Sequence, residues 1–203
     1  MNIQIENLTK SFYKTPILKN FSLKIDSGES VGIFGPNGSG KTSLLKMICG
    51  IMSIDSGKIK IDDLIIHPEK TESRKDVYYL GHSVGLYPSL TGEENIDFLS
   101  KLYGIIKGDI DNVLTKVGLK NDGGKLVKFY SQGMLQRLKL AVVITLTPRV
   151  LLLDEPKTGL DENGISLFDE LFTDWKNKNK TMFIVSHDRE WLRLHTDRII
   201  ELK

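Results

Sequence analysis

The stretch Gly35-Pro36-Asn37-Gly38-Ser39-Gly40-Lys41-Thr42 constrains this chain more than any other. It follows the apolar run Val31-Gly32-Ile33-Phe34 and precedes Ser43-Leu44-Leu45-Lys46-Met47-Ile48. A buried strand, a tight loop and a helix therefore occur in the order that the pattern G-x-x-x-x-G-K-[ST] requires. Glycines without a Cβ let the loop curl with several backbone N–H groups pointing inward, and the N-terminus of the next helix adds a field that favours an anion. The phosphates of a nucleotide suit such a cradle, and we take Gly35, Pro36, Asn37, Gly38, Ser39, Gly40, Lys41, Thr42 and Ser43 as candidate nucleotide contacts. Lys41 would reach the β- and γ-phosphates, and Thr42 would ligate Mg²⁺.

With 203 residues the chain can form one substantial core, with room for an inserted subdomain. The 28 basic and 26 acidic side chains leave a net charge of +2, too balanced to suggest nucleic-acid binding by charge alone. A single cysteine, Cys49, excludes an intrachain disulfide; it reads as a small buried hydrophobe and points to a reducing compartment. Met1 to Glu6 carry no basic region followed by an apolar core, so no signal peptide is expected. Leu138 to Leu153, the most apolar stretch, is interrupted by Lys139, Pro148 and Arg149 and falls short of a membrane span. Any spanning helices would come from another chain.

Alternation through Ile3, Ile5 and Leu8, and again through Phe21, Leu23 and Ile25, reads as two half-exposed antiparallel strands. Phe12 and Tyr13 lie in the connection, where an aromatic either stacks on a nucleobase or packs beneath the hairpin. Asp55-Ser56-Gly57 turns the chain into a short strand, Lys58 to Ile61, closed by Asp62-Asp63. A charged surface segment, helix or loop, then leads to a buried strand at Val77-Tyr78-Tyr79-Leu80. From there to about Lys128 no strand is evident: Thr91 and Glu94 form a capping box, and a second helix is expected from Asp109 to Val117. Another helix should start at Ser131 and end before Pro148. A helix at 164–177 and strands at 181–186 and 198–202 complete an α/β sheet.

The apolar strand Val150-Leu151-Leu152-Leu153 runs into Asp154 and Glu155, as expected of a central parallel strand whose C-terminal end faces a ligand. Adjacent side chains diverge there, so Asp154 would hold Mg²⁺ through water while Glu155 orients or deprotonates the attacking water. An unpaired surface pair is the plainer alternative, but four apolar residues leading into it place the pair against the core, where charge is costly. His187 ends the apolar strand Thr181 to Ser186, either as a structural residue or as a hydrogen-bond partner of a γ-phosphate.

The order of the phosphate loop, Tyr130-Ser131-Gln132-Gly133-Met134, Leu151-Leu152-Leu153-Asp154-Glu155-Pro156, Gly159-Leu160-Asp161 and Ser186-His187-Asp188 resembles the ATP-binding cassette of ABC transporters, over almost the whole chain. The resemblance implies an α/β fold: a P-loop nucleotide core with a mainly parallel sheet, an N-terminal antiparallel β-subdomain and an inserted α-helical subdomain. One domain is expected over 1–203, with 1–85 and 147–203 as the core and 86–146 as the helical subdomain. It further implies a Mg²⁺-dependent ATPase that closes as a homodimer around ATP and drives integral membrane permease subunits, cytoplasmic and peripheral on the inner face of the membrane, with no nucleic-acid partner. In that scheme Ser131 and Gly133 touch the γ-phosphate held by the opposite subunit, Asp161 links the two sites, and Phe12, with Tyr13 as its neighbour, stacks on adenine. Leu86, Tyr87, Pro88 and Leu90 fall where the family receives its membrane subunit, although subdomain core is the equal alternative.

Two departures stand out. The signature segment reads Tyr-Ser-Gln-Gly-Met where Leu-Ser-Gly-Gly-Gln is commoner, keeping the serine and second glycine that would touch phosphate. His82 stands where most cassettes carry the glutamine that senses Mg²⁺ and the attacking water, so it joins Glu155 and His187 as a catalytic candidate and Thr42 and Asp154 as a metal candidate. Leu80-Gly81-His82, with no C-terminal extension, is similar to the heme exporter subunits of cytochrome c maturation. A soluble cassette ATPase acting on nucleic acid or ribosomes is the alternative; its long coiled-coil insertions or second cassette are not seen in the sequence. A P-loop kinase would leave the signature segment unexplained.

Overall fold

Apolar residues on alternate positions give β1 (Ile3–Phe12) a core face and an open face, and it pairs antiparallel with β2 (Thr15–Ile25), Ile3 opposite Ile25. The computed structural model describes residues 1–13, 15–69, 75–81, 85–105 and 109–202. Contacts group the chain into two compact units, one formed by Met1–Gly81, Pro148–Glu155 and Trp175–Lys203, the other by His82–Thr147 and Pro156–Asp174. The second unit takes in 156–174, which the sequence reading had kept with the core.

In the first unit β3 (Ser30–Phe34) leads into α1 (Lys41–Ile48), and β4 (Ser56–Ile61) and β5 (Leu64–Ile65) form a hairpin. The second strand of that hairpin is only two residues long and exposed, which left no apolar pattern to read. β6 (Val77–Leu80), β7 (Val150–Asp154), β8 (Thr181–Val185) and β9 (Arg198–Glu201) follow, with α6 (Arg189–His195) between the last two. The sheets have the orders β2-β1-β4-β5, wholly antiparallel, and β6-β7-β8-β3-β9, wholly parallel among the described strands. One core joins them: Leu44, Leu45 and Ile48 of α1 are buried with Ile3, Ile5 and Ile59 of the first sheet and Ile33, Leu152 and Phe183 of the second. Both β7 and β8 are buried along their full length, which is why they read as continuous apolar runs without alternation. Because the sheet is parallel, the C-terminal ends of β3, β7 and β8 arrive at one edge. Residues 70–74 of the charged segment expected as a surface helix or loop lie outside the described residues.

The second unit holds α2 (Gly92–Leu102), α3 (Ile110–Lys116), a 3₁₀ turn at Val127–Phe129, α4 (Gln132–Leu146) and most of α5 (Glu162–Asn177). The capping box at α2 is present in both directions: Thr91 Oγ1 accepts from the Glu94 N–H and Glu94 Oε2 accepts from the Thr91 N–H. Asn95, fully buried, accepts from the Tyr87 N–H at 2.7 Å and donates to the carbonyls of Tyr87 and Thr91. It pins the loop carrying Tyr87, whose ring is half exposed and meets Phe98 edge-on at 5.0 Å. Phe168, Leu171 and Phe172 bury one stripe of α5.

These contacts predict a ranking. Thr91→Ala removes one exposed cap and costs about 1 kcal/mol, whereas Asn95→Ala strands a partly buried N–H and costs about 1–3 kcal/mol. Hydrogen exchange of the α2 amides should report the larger loss of protection for Asn95→Ala; equal losses would contradict the pinning role.

Candidate functional site

The phosphate loop turns at two glycines that admit no other residue. A Cβ on Gly35 would lie 2.3 Å from the Leu202 carbonyl oxygen, and one on Gly40, at φ 89°, would lie 2.4 Å from Ile17 Cγ2. Gly40 supplies no side-chain cap to α1, so the first N–H groups of that helix are left for an anion. Lys41 begins the helix and is buried, and its Nζ donates to the carbonyls of Gly35 at 2.7 Å and Pro36 at 2.8 Å. Ser39 Oγ is buried with no hydrogen-bond partner. A cavity of about 250 Å³ opens here, lined by Ile17, Asn37, Gly38, Gly40, Lys41, Thr42, Ser43, Asp154, Glu155, Val185 and His187. Gly35, Pro36 and Ser39 shape the loop without lining the cavity.

Asp154 closes β7 and Glu155 follows it outside the strand, at φ 51°. Pro156 disfavours the right-handed helical region for Glu155, and the left-handed one it occupies costs roughly 1–2 kcal/mol for a residue with a Cβ. The Glu155 N–H donates to the Val185 carbonyl, which fixes the turn. His187 is carried past β8 by Asp188, whose N–H donates to Ser186 Oγ and whose carboxylate caps α6. His187 Nε2 stands 3.3 Å from Glu155 Oε1, an electrostatic approach without a formed hydrogen bond, since Oε1 is buried and has no donor directed at it. Burial raises the Glu155 carboxyl above its ordinary value; the charge and backbone N–H of His187, and the charge of Lys41, oppose that shift, while Asp154 adds to it. A half-desolvated carboxylate with a raised proton affinity is suited to take a proton from water.

ATP fits this set: a glycine cradle and a buried ammonium meet at one cavity, and the loop that forms the cradle also holds the orphaned Ser39 hydroxyl. Its volume is below the ≈300–1,000 Å³ that encloses a drug-sized ligand, so the phosphates would be seated and the base left outside. Among the described residues no three His, Cys, Asp or Glu side chains gather to hold a metal. That suits Mg²⁺, which takes one or two carboxylates and completes its shell with phosphates and water; Thr42 and Asp154 line the cavity together.

The other expected site residues are placed elsewhere. Phe12 ends β1, partly exposed with Lys10 Nζ 5.6 Å from its ring centre, and Tyr13 is fully exposed; neither lines the cavity. Ser131, Gly133 and Asp161 belong to the second unit. Ser131 Oγ caps α4 by accepting from the Met134 N–H, and a Cβ on Gly133 would lie 3.0 Å from the Gly159 carbonyl oxygen. Asp161 Oδ1 accepts from Arg137 Nη2 at 2.5 Å and from the Gly164 N–H, and the Arg137 hydrogen bond holds its carboxyl below the usual range. His82 lies outside the described residues. Sequence reasoning missed Tyr79, whose hydroxyl donates to Asp154 Oδ2 at 2.8 Å, and Gln136 and Arg137, which tie α4 to the segment after Glu155 through the Pro156 carbonyl and Asp161. The signal for Tyr79 was a phenol inside a wholly buried strand, where its hydroxyl needs a partner.

The raised proton affinity of Glu155 has a direct consequence for stability. The folded chain binds this proton more tightly than the unfolded chain, so stability falls as pH rises through the interval above the ordinary value of 4.5 and stays lower beyond it. Glu155→Gln removes the charge and keeps the backbone conformation. Its thermal midpoint should exceed that of the wild type at pH 7, with the gap closing below pH 4.5; a gap independent of pH would refute the desolvation argument.

The family model described as "ABC transporter" matches residues 18–158. The chain is similar to the linearmycin resistance ATP-binding protein LnrL of Bacillus subtilis (strain 168), 31% identical over 97% of this chain and 65% of that protein's length. It is also similar to the lantibiotic transport ATP-binding protein SrtF of Streptococcus pyogenes, 35% identical over 91% of this chain and 80% of that protein. Among solved structures, the dimeric post-hydrolysis state of an ATP-binding cassette bound to ADP and Pi superposes with a TM-score of 0.85 at 27% identity, covering 99% of this chain and 94% of that one. A cradle built for phosphate, with a poised carboxylate beside it, is what such a nucleotide site needs, and the match extends well beyond that site: the chain belongs to the ABC transporter family, as an ATP-binding cassette of the kind that hydrolyses ATP.

Proposed function

We propose that residues 1–203 act as one cassette domain, the motor subunit of a transporter, in which two copies close around ATP and hydrolysis reopens them. The observation that supports this reading best is the gathering of Lys41, Thr42, Asp154, Glu155 and His187 at one cavity beneath the phosphate loop. Lys41 meets the charge of the β- and γ-phosphates, and the free N–H groups of α1 share it. Glu155 accepts the proton of the attacking water, and His187, beside it, donates to the γ-phosphate in its protonated form or in the tautomer that carries the proton on the facing nitrogen. Mg²⁺, when bound through Thr42 and Asp154, neutralises charge on the phosphate oxygens. Ser131 and Gly133, at the N-terminus of α4, are suited to the γ-phosphate of a second copy, and a dimeric relative makes that arrangement physically available.

Among the described residues no helix is long and apolar enough to cross a membrane. We therefore assign the translocation path to separate permease subunits, with this chain peripheral on the cytoplasmic face. The half-exposed Tyr87–Phe98 pair is the docking surface we favour for them. The relatives named above favour an antibiotic-type cargo. Heme, suggested by Leu80-Gly81-His82, is the alternative.

Sedimentation with Mg²⁺-ATP tests the motor reading. Glu155→Gln should bind ATP, fail to hydrolyse it and accumulate as dimer, whereas Lys41→Ala should lose most ATP affinity and stay monomeric. A Glu155→Gln variant that hydrolyses normally and stays monomeric would overturn both the base assignment and the shared site. Affinity purification of the intact chain from membranes should recover an integral membrane protein; recovery of ribonuclease-sensitive complexes in its place would favour a soluble cassette acting on nucleic acid.

A further inference from the structure

Tyr79 is the residue that the nucleotide chemistry leaves without a role. It lies on β6, buried, in register with Leu152 of β7, so its side chain reaches along the neighbouring strand toward the end where Asp154 stands. The hydroxyl donates to Asp154 Oδ2 at 2.8 Å in a buried contact. Gly81 closes the other side: a Cβ there would lie 2.4 Å from both Cζ and the hydroxyl oxygen of Tyr79, so the phenol tip is held against bare backbone. In this contact the phenol O–H is the donor and the carboxylate oxygen the acceptor.

We propose that Tyr79 is a positioning residue for the metal-side carboxylate: wedged by Gly81, its hydroxyl fixes Asp154 in one orientation at the cavity wall, ready for the cation that accompanies the triphosphate. The proposal rests on the reading of Asp154 as the Mg²⁺ carboxylate. A carboxylate free to rotate must be ordered each time the cation arrives, and the tyrosine removes that cost in advance. Such outer partners of metal ligands are worth on the order of 10- to 100-fold in metal affinity. The phenol is suited to the task because it is a rigid donor on two torsions, set by a strand and not by a loop.

The test compares the affinity of the intact chain for a fluorescent ATP analogue in Mg²⁺ and in EDTA, the ratio being the metal-dependent gain. Asp154→Asn should abolish most of the gain; if it does not, the reading of Asp154 fails and the proposal with it. Tyr79→Phe should cut the gain by about 10-fold while leaving the affinity in EDTA unchanged. Tyr78→Phe, which removes a buried hydroxyl from the other face of the same strand, should leave both values unchanged. Gly81→Ala keeps the hydroxyl but forces the ring aside, so it should reproduce the Tyr79→Phe loss, and it decides the matter if Tyr79→Phe does not fold. A full gain in folded Tyr79→Phe or in Gly81→Ala, with Asp154→Asn impaired, would overturn the role of Tyr79 alone.

Discussion

Two carbonyl oxygens, those of Gly35 and Pro36, hold the Lys41 ammonium inside the loop that is to receive phosphate, and much of the structure serves to keep that buried cation in place. A buried ammonium is tolerated only when its protons are satisfied and opposite charge is near. The carbonyls meet the first need. Asp154 and Glu155 meet the second, because the parallel sheet brings the end of β7 to the edge where β3 ends. One lysine against two carboxylates leaves little surplus positive charge for a triphosphate, which agrees with the Mg²⁺ that we propose at Thr42 and Asp154.

Glu155 carries two unfavourable features at once, a left-handed backbone and a desolvated carboxyl. The left-handed backbone alone costs on the order of 1 kcal/mol or more, burial of the carboxyl adds to that cost, and no packing requirement of the core calls for a glutamate there. The neighbours bear the load: the ladder bond to Val185 fixes the backbone, and His187 lies close enough to favour the charged form. Strain and burial gathered on one residue beside a phosphate cradle fit the base that we propose there, held at the expense of stability.

How much of this was legible in the sequence depends on the range of the interaction that decides each feature. The phosphate loop, the two-faced strands β1 and β2 and the capping box of α2 are set by residues a few positions apart, so they could be read directly. So could the buried runs β7 and β8, because burial on both faces leaves its mark on every residue. The two-residue strand β5 and the seven-residue α6 were not read, since each is too short to show a period and is held by its partners. Glu155 was read as part of the strand; the proline after it carried the warning. The Tyr79–Asp154 bond spans 75 positions and follows from the pairing of β6 with β7, a register that no local pattern states. The placement of Pro156–Asp174 with the helical unit depends likewise on long-range contacts, notably Gln136 to the Pro156 carbonyl across 20 positions.

That last contact shows how the second unit is organised around α4. Gln136 binds the Pro156 carbonyl at 2.7 Å, Gly133 lets the Gly159 carbonyl approach where a Cβ would be crowded, and Arg137 spans from the Val117 carbonyl to Asp161. The start of the signature helix and the segment from Pro156 to Asp161 are therefore fastened by two hydrogen bonds, with one close backbone approach on the same helix face. The Arg137–Asp161 pair is exposed on the aspartate side and contributes little stability as an ion pair. Its value lies in geometry, since the guanidinium joins two otherwise separate stretches of backbone and the aspartate also accepts from the Gly164 N–H. Asp161 Oδ1 is thus already committed within its own chain, so any contact this residue makes with a second copy must use its other oxygen or its backbone.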